Sequence, residues 1–202
     1  MENSLSIMFT IKSWYILVPV MLLGLLWLIN WAKRQKQKIT FAQFFVLITF
    51  GIYILSMIDL VFFPIEVNIG RYANQTPWYN TINFIPILTI DIKTFLLNVI
   101  MLIPFGMYFP FLMQTKTSVK RIAKLGFGLS LSFELVQLII RVVLGSGRST
   151  DINDLLANTA GAVIGLLIVR KLVKVKLFGG IIERLMLYPN KERENGENFN
   201  CR

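Results

Sequence analysis

The sequence predicts an all-α, polytopic transmembrane helical bundle with five spans, its amino terminus outside and its carboxyl terminus cytoplasmic. Three observations carry that expectation. Hydrophobic residues make up 55% of the 202 residues, charged residues 16%, and the mean hydropathy is +0.62. Five stretches approach the about 20 apolar residues that cross a bilayer as a helix. The lysines and arginines fall in alternate loops. The net charge of +10 therefore reads as basic loops orienting a chain in a membrane, not as a nucleic-acid surface. Histidine is absent, which removes histidine-based catalysis and H-E-x-x-H zinc sites. The single cysteine, Cys201, excludes an intrachain disulfide and a cysteine metal cluster. No cofactor is expected.

Span one runs from about Trp14 to Trp31 and span two from Phe41 to Phe63. Span three runs from Thr94 to Met113, span four from Ile122 to Leu144, and span five from Ile152 to Val169. Span one is an anchor rather than a cleaved signal, because its charges (Lys33, Arg34, Lys36, Lys38) follow the apolar run and no small-x-small cleavage site is present. Three parts divide the chain. Residues 1–40 form an anchor span and basic loop, residues 41–176 the main transmembrane domain, and residues 177–202 a cytoplasmic tail, partly disordered beyond a short surface helix.

Orientation follows from the basic residues. Lys33 to Lys38, then Lys116, Lys120, Arg121 and Lys124, then Arg170 to Lys176 share one side of a five-crossing chain. The other side holds Lys12, Arg71, Lys93, Arg141 and Arg148. The excess of positive charge marks the cytoplasmic side.

Ionisable groups inside a bilayer are expensive and persist mainly when paired or functional. Here Asp59, Asn98, Glu134, Gln137, Arg141, Asp154 and Asn158 all fall in the middle or outer part of their spans. At 100° per residue, Gly126, Ser130, Glu134, Gln137 and Arg141 occupy an arc of about 80° on span four. Asp151, Asp154, Asn158, Gly161 and Gly165 do the same on span five. Spans four and five are joined by a short loop and so should be antiparallel neighbours. Gly126 and Ser130 would then meet Gly161 and Gly165 in a tight seam. Above the seam, Glu134, Gln137, Arg141, Arg148, Asp151, Asp154 and Asn158 would line a polar pocket opening outward, joined by Asn98 and Asp59. Arginine pairs with phosphate or carboxylate through parallel hydrogen bonds, so an anionic lipid head group or peptide carboxylate is the expected ligand. Asp151 and Asp154, one helical turn apart, are also spaced to hold a metal ion weakly, or equally to cap a helix start. Pro104 should bend span three. The loop from Pro64 to Lys93 carries Tyr72, Trp78 and Tyr79, expected as interfacial anchors or as part of a lid.

The string Asn98-x5-Pro104-Phe105-Gly106, then Ser132-x-Glu134-x2-Gln137, then Gly147-Arg148-x2-Asp151-x2-Asp154-x3-Asn158-x2-Gly161-x3-Gly165, with Asn83-Phe84-x-Pro86 ahead of it, resembles the VanZ-like family from about Ile52 to Val169. The resemblance implies a multi-pass protein of the bacterial cytoplasmic membrane, in a family named for an accessory role in resistance to teicoplanin. It supplies no catalytic residues. The reading that follows is a non-enzymatic envelope protein whose partners are membrane lipids or a lipid-linked cell-wall precursor. The alternatives are a metal-assisted enzyme on a lipid-linked wall substrate, and a transporter-like or helper protein docked on another membrane protein.

Overall fold

The computed structural model describes residues 6–35, 39–70, 76–113, 118–147 and 149–175, together with 180, 182 and 185–187 of the tail. Five helices organise them: α1 (Trp14–Arg34), α2 (Phe41–Phe62), α3 (Ile92–Leu112), α4 (Val119–Leu144) and α5 (Ile152–Val173). Each is long and apolar enough to cross a membrane. Their starts are set locally. Thr40 and Gln43 form a reciprocal capping box on α2, Asp91 accepts from Thr94 N–H at α3, and Ser118 accepts from Arg121 N–H at α4. Such caps satisfy amides that the first helical turn leaves without partners. The α4 helix ends at Gly145, whose φ of 66° is the left-handed conformation that glycine tolerates.

Short strands, which the helical periodicity does not foretell, gather one end of the bundle. β1 (Ile7–Ile11) pairs antiparallel with β2 (Ile65–Ile69), with Ile7 opposite Ile69. β3 (Ile82–Asn83) pairs parallel with β4 (Thr150–Asp151). These pairings join the approach to α1 with the exit from α2, and the approach to α3 with the approach to α5. The opposite end is basic. There the Gln43 amide donates to the Met186 carbonyl at 2.7 Å, and Leu187 N–H to the Phe111 carbonyl at 2.9 Å, so the tail returns to the end where α2 begins and α3 finishes. The expectation of a short helix there touches the described residues only at Gly180, Ile182 and Leu185, which are helical. The expected disordered end lies outside them.

The core is formed by α2, α3, α4 and α5: Met57, Val61, Leu102, Ile122, Phe133, Ala162 and Leu166. The α1 helix buries none of its residues, as suits an anchor bathed in lipid. The α5 helix is the central element and packs most extensively on α3, then on α4.

Close packing of α5 on α3 corrects the expected seam. A Cβ on Gly161 would collide with the Val99 carbonyl, and one on Gly165 with the Ile103 carbonyl. Gly106 of α3 in turn lies against the Ala162 carbonyl. The two glycines of α5 therefore seat α3, which runs in the same direction, rather than α4. Gly126 does face α5, but it meets Ala162, whose Cβ would stand 2.8 Å from an added methyl. The reason is steric. Lipid offers helices no hydrophobic drive to associate, so backbones settle where small residues allow the closest approach. Gly161 and Gly165 of α5 admit the α3 backbone at Val99 and Ile103, and Gly106 of α3 admits the α5 backbone at Ala162. The α3 helix continues through Pro104, and the adjacent Met101 carbonyl accepts the Tyr53 hydroxyl of α2 at 2.8 Å.

Candidate functional site

At the strand-bearing end, three helices and one loop converge on a buried carboxylate–amide cluster. Glu134 of α4 is 4% exposed. Its Oε2 accepts the backbone N–H of Asp151 at 3.1 Å. One turn earlier on the same helix, Ser130 is fully buried. Its hydroxyl accepts the Asn158 amide at 2.8 Å and points its own proton at the Asp154 carbonyl, 3.4 Å away. The Asp154 carboxylate lies within hydrogen-bonding reach of the Asn98 side chain from α3. Asn158 is 3% exposed, and its side-chain oxygen is buried with no hydrogen-bond partner.

Above this floor sits the loop that precedes α3. The Asn83 amide donates to the Asp151 Oδ1 at 3.0 Å and to the Thr89 hydroxyl at 2.6 Å. Asp151 Oδ1 also accepts the Asn153 N–H at 2.8 Å, capping α5. The Asn153 side chain, 3% exposed, accepts Ile87 N–H at 2.8 Å and reaches the Thr89 hydroxyl at 3.3 Å. Ile87 itself has a φ of 70°, and Leu88 N–H bonds across it to the Pro86 carbonyl at 2.8 Å. A β-branched residue at positive φ is strained, and the i to i+2 turn it makes is the rare form. The buried Asn153 amide holds that turn in place.

The arrangement gathers Asn98, Glu134, Asp151, Asp154 and Asn158, five of the residues expected to line the site. Residues 83–89 are hydrogen-bonded to Asp151 and Asn153 at the start of α5. Arg141 stands seven residues on from Glu134, about 10 Å of helical rise, and its carbonyl accepts Gly145 N–H. Gln137 turns to α2 and donates to the Val61 carbonyl at 2.9 Å. It thereby ties α4 to the last turn of α2, the turn in which the half-buried Asp59 accepts Phe63 N–H through its own carbonyl. Arg148 and Tyr72 lie outside the described residues. Trp78 and Tyr79 are 52% and 58% exposed. The loop's bonds to the start of α5 come from Asn83, Ile87 and Thr89.

Asn153 and Thr89 were not legible as site residues. Asn153 falls off the stripe of Asp154 and Asn158, and Thr89 sits in a loop without periodicity. The one sequence signal was Asn83, part of the Asn-Phe-x-Pro motif. Among the described residues no group of three or more acidic or thiol side chains is placed to hold a metal ion, and the Asp151 carboxylate is engaged in capping. Chemically, the cluster is rich in acceptors. Carboxylates beside an unpartnered amide oxygen attract N–H and O–H donors.

Five helices of spanning length around a polar cluster at one end define a polytopic membrane protein. The chain belongs to the VanZ/LLP1 family, which it matches over residues 50–175. It is similar to Protein VanZ of Enterococcus faecium, with 30% identity over 155 residues, covering 68% of this chain and 86% of that protein. No solved structure matches it.

Proposed function

We propose that this chain is a non-enzymatic protein of the bacterial cytoplasmic membrane that binds a lipid-linked cell-wall precursor, or a similar lipid, at its strand-bearing end, and so alters the access of glycopeptides such as teicoplanin. The strand-bearing end faces outward and the basic end faces the cytoplasm. Lysine and arginine asymmetry supports that orientation, since Lys33, Arg34, Lys120, Arg121, Arg170 and Lys171 all belong to the basic end. Likeness to Protein VanZ of Enterococcus faecium supports the link to glycopeptides.

One observation carries the reading: a buried acceptor cluster next to a strained loop, bonded to Asp151 and Asn153, whose apolar residues are exposed. Phe84, Ile87 and Leu88 are 69%, 71% and 88% exposed, beside a membrane surface. Ionisable groups buried at membrane depth mark a functional site. Movement of the 83–89 loop would present Glu134, Asp154 and Asn158 to the hydroxyls and amides of a head group, while Arg141, later on α4, and Arg148, beyond it in the sequence, would take its anionic part. Membrane lipids remain the nearest partners, and another membrane protein is the other class of partner to look for.

The test is teicoplanin susceptibility of cells expressing the chain or its Glu134→Gln, Asp154→Asn and Asn83→Ala variants at matched membrane levels. The reading expects tolerance from the parent chain and its loss in the variants. Equal susceptibility across the set would remove it.

A further inference from the structure

At the basic end, a groove of about 550 Å³ opens between the end of α3 and the start of α4. Its lining is almost wholly apolar, with Phe109, Met113 and Leu125 prominent, and three basic side chains, Lys120, Arg121 and Lys124, border it. No acidic side chain is among the described residues that line it. Lys120 and Lys124 stand one helical turn apart on the same face of α4, an arrangement that repels itself unless an anion lies between. Arg121 is set with its guanidinium 5.8 Å from the centroid of the Phe109 ring, which fixes the cation at the groove wall. The first turn of α4 adds the positive end of a helix dipole at the same place.

We propose that this groove binds the phosphodiester head group of an anionic phospholipid from the leaflet at the basic end. The cations identify the ligand's charge, and the apolar wall identifies its source. A free phosphate has nothing to place on Phe109, Met113 and Leu125, whereas a phospholipid lays its glycerol and upper acyl segments there. The location agrees, because a lipid phosphate sits where transmembrane helices end. The bound lipid would fasten α3 to α4 at the end opposite the carboxylate–amide cluster, so this site is independent of the function proposed for that cluster.

Native mass spectrometry of the full chain, released from phosphatidylcholine nanodiscs doped with phosphatidylglycerol, tests the proposal. The parent chain should retain phosphatidylglycerol in preference to phosphatidylcholine. Lys120→Gln with Lys124→Gln should reduce that retention by roughly tenfold or more, given the pull of each cation on an anionic lipid. Lys33→Gln with Arg34→Gln, which removes equal charge from the same end at α1, should leave it unchanged. Melting temperatures of both double variants guard against a folding defect. Retention that ignores Lys120 and Lys124, or falls equally in the α1 control, overturns the site. Displacement by inorganic phosphate as readily as by added phosphatidylglycerol overturns the lipid assignment.

Discussion

The backbone N–H of Asp151 donates to the Glu134 carboxylate at 3.1 Å, so a buried acid of α4 fixes the point at which the chain turns into α5. Asp151 passes the constraint on, accepting from Asn153 N–H and from the Asn83 amide. A single hydrogen-bonded path thus runs from the interior of α4 to the loop before α3. Glu134→Ala should destabilise the chain by about 1–3 kcal/mol, as the Asp151 amide loses its acceptor. Glu134→Gln keeps an oxygen at the same place and should lose less. Thermal unfolding in one detergent, with both variants side by side, checks the order.

The α3–α5 seam makes a second, purely steric prediction. Gly161→Ala and Gly165→Ala would each press a methyl onto a backbone carbonyl, at a cost of about 1–3 kcal/mol from overpacking. Gly24 and Gly51 have nothing within 4 Å of an added Cβ. Their alanine variants should be neutral or stabilising by up to about 1 kcal/mol, the helix-propensity gain. Size-exclusion profiles after a graded heat step separate the two pairs.

The 83–89 loop is held against its own backbone preference. Ile87→Gly removes the penalty of a positive φ, 70° here, and should be tolerated or raise stability by about 1 kcal/mol. Asn153→Ala takes away the acceptor for Ile87 N–H and should loosen the loop instead. Hydrogen exchange at residues 83–89 is the readout. Faster exchange in the Asn153 variant, with helix amides unchanged, is the expected result.

Acid should also loosen the start of α3. Asp91 is fully exposed, and the Thr94 hydroxyl and N–H hold its carboxyl below the usual carboxylate range. A depressed carboxyl stabilises the fold above its unfolded value, near about 4, and that stabilisation is lost as pH falls through the lower folded value. Amides 92–95 should therefore lose protection, measured against their intrinsic exchange rates, as pH falls below about 4, while Asp91→Asn, which keeps an oxygen for the cap, should flatten that dependence.

Much of this architecture was readable from residue order. The five helices begin and end within a few residues of the expected spans, because length and apolarity decide membrane crossing and both are local properties. The polar depth pattern was readable too, since Glu134, Asp154, Asn158 and Asn98 do converge. What escaped was long-range. Ile7–Ile11 reads as an apolar lead into α1, and nothing in it names Ile65–Ile69 as its partner. Gly161 and Gly165 announce a close approach but not by which helix, and chain adjacency favours α4 over the true partner, α3. Gln137 shares a stripe with Glu134, yet a long amide reaches whichever helix end leaves a carbonyl open, here Val61.

The central claim is that the Glu134–Asp154–Asn158 cluster receives a lipid-linked ligand beneath the 83–89 loop. Its most direct test is retention of a polyprenyl-linked wall precursor by the purified full chain, compared with Asn83→Ala and Asp154→Asn at equal melting temperature. The account predicts retention by the parent chain, and a loss of about tenfold or more in Asp154→Asn once a charged hydrogen bond of about 1.5 kcal/mol is removed. Equal retention by all three, or none by the parent chain, would contradict it.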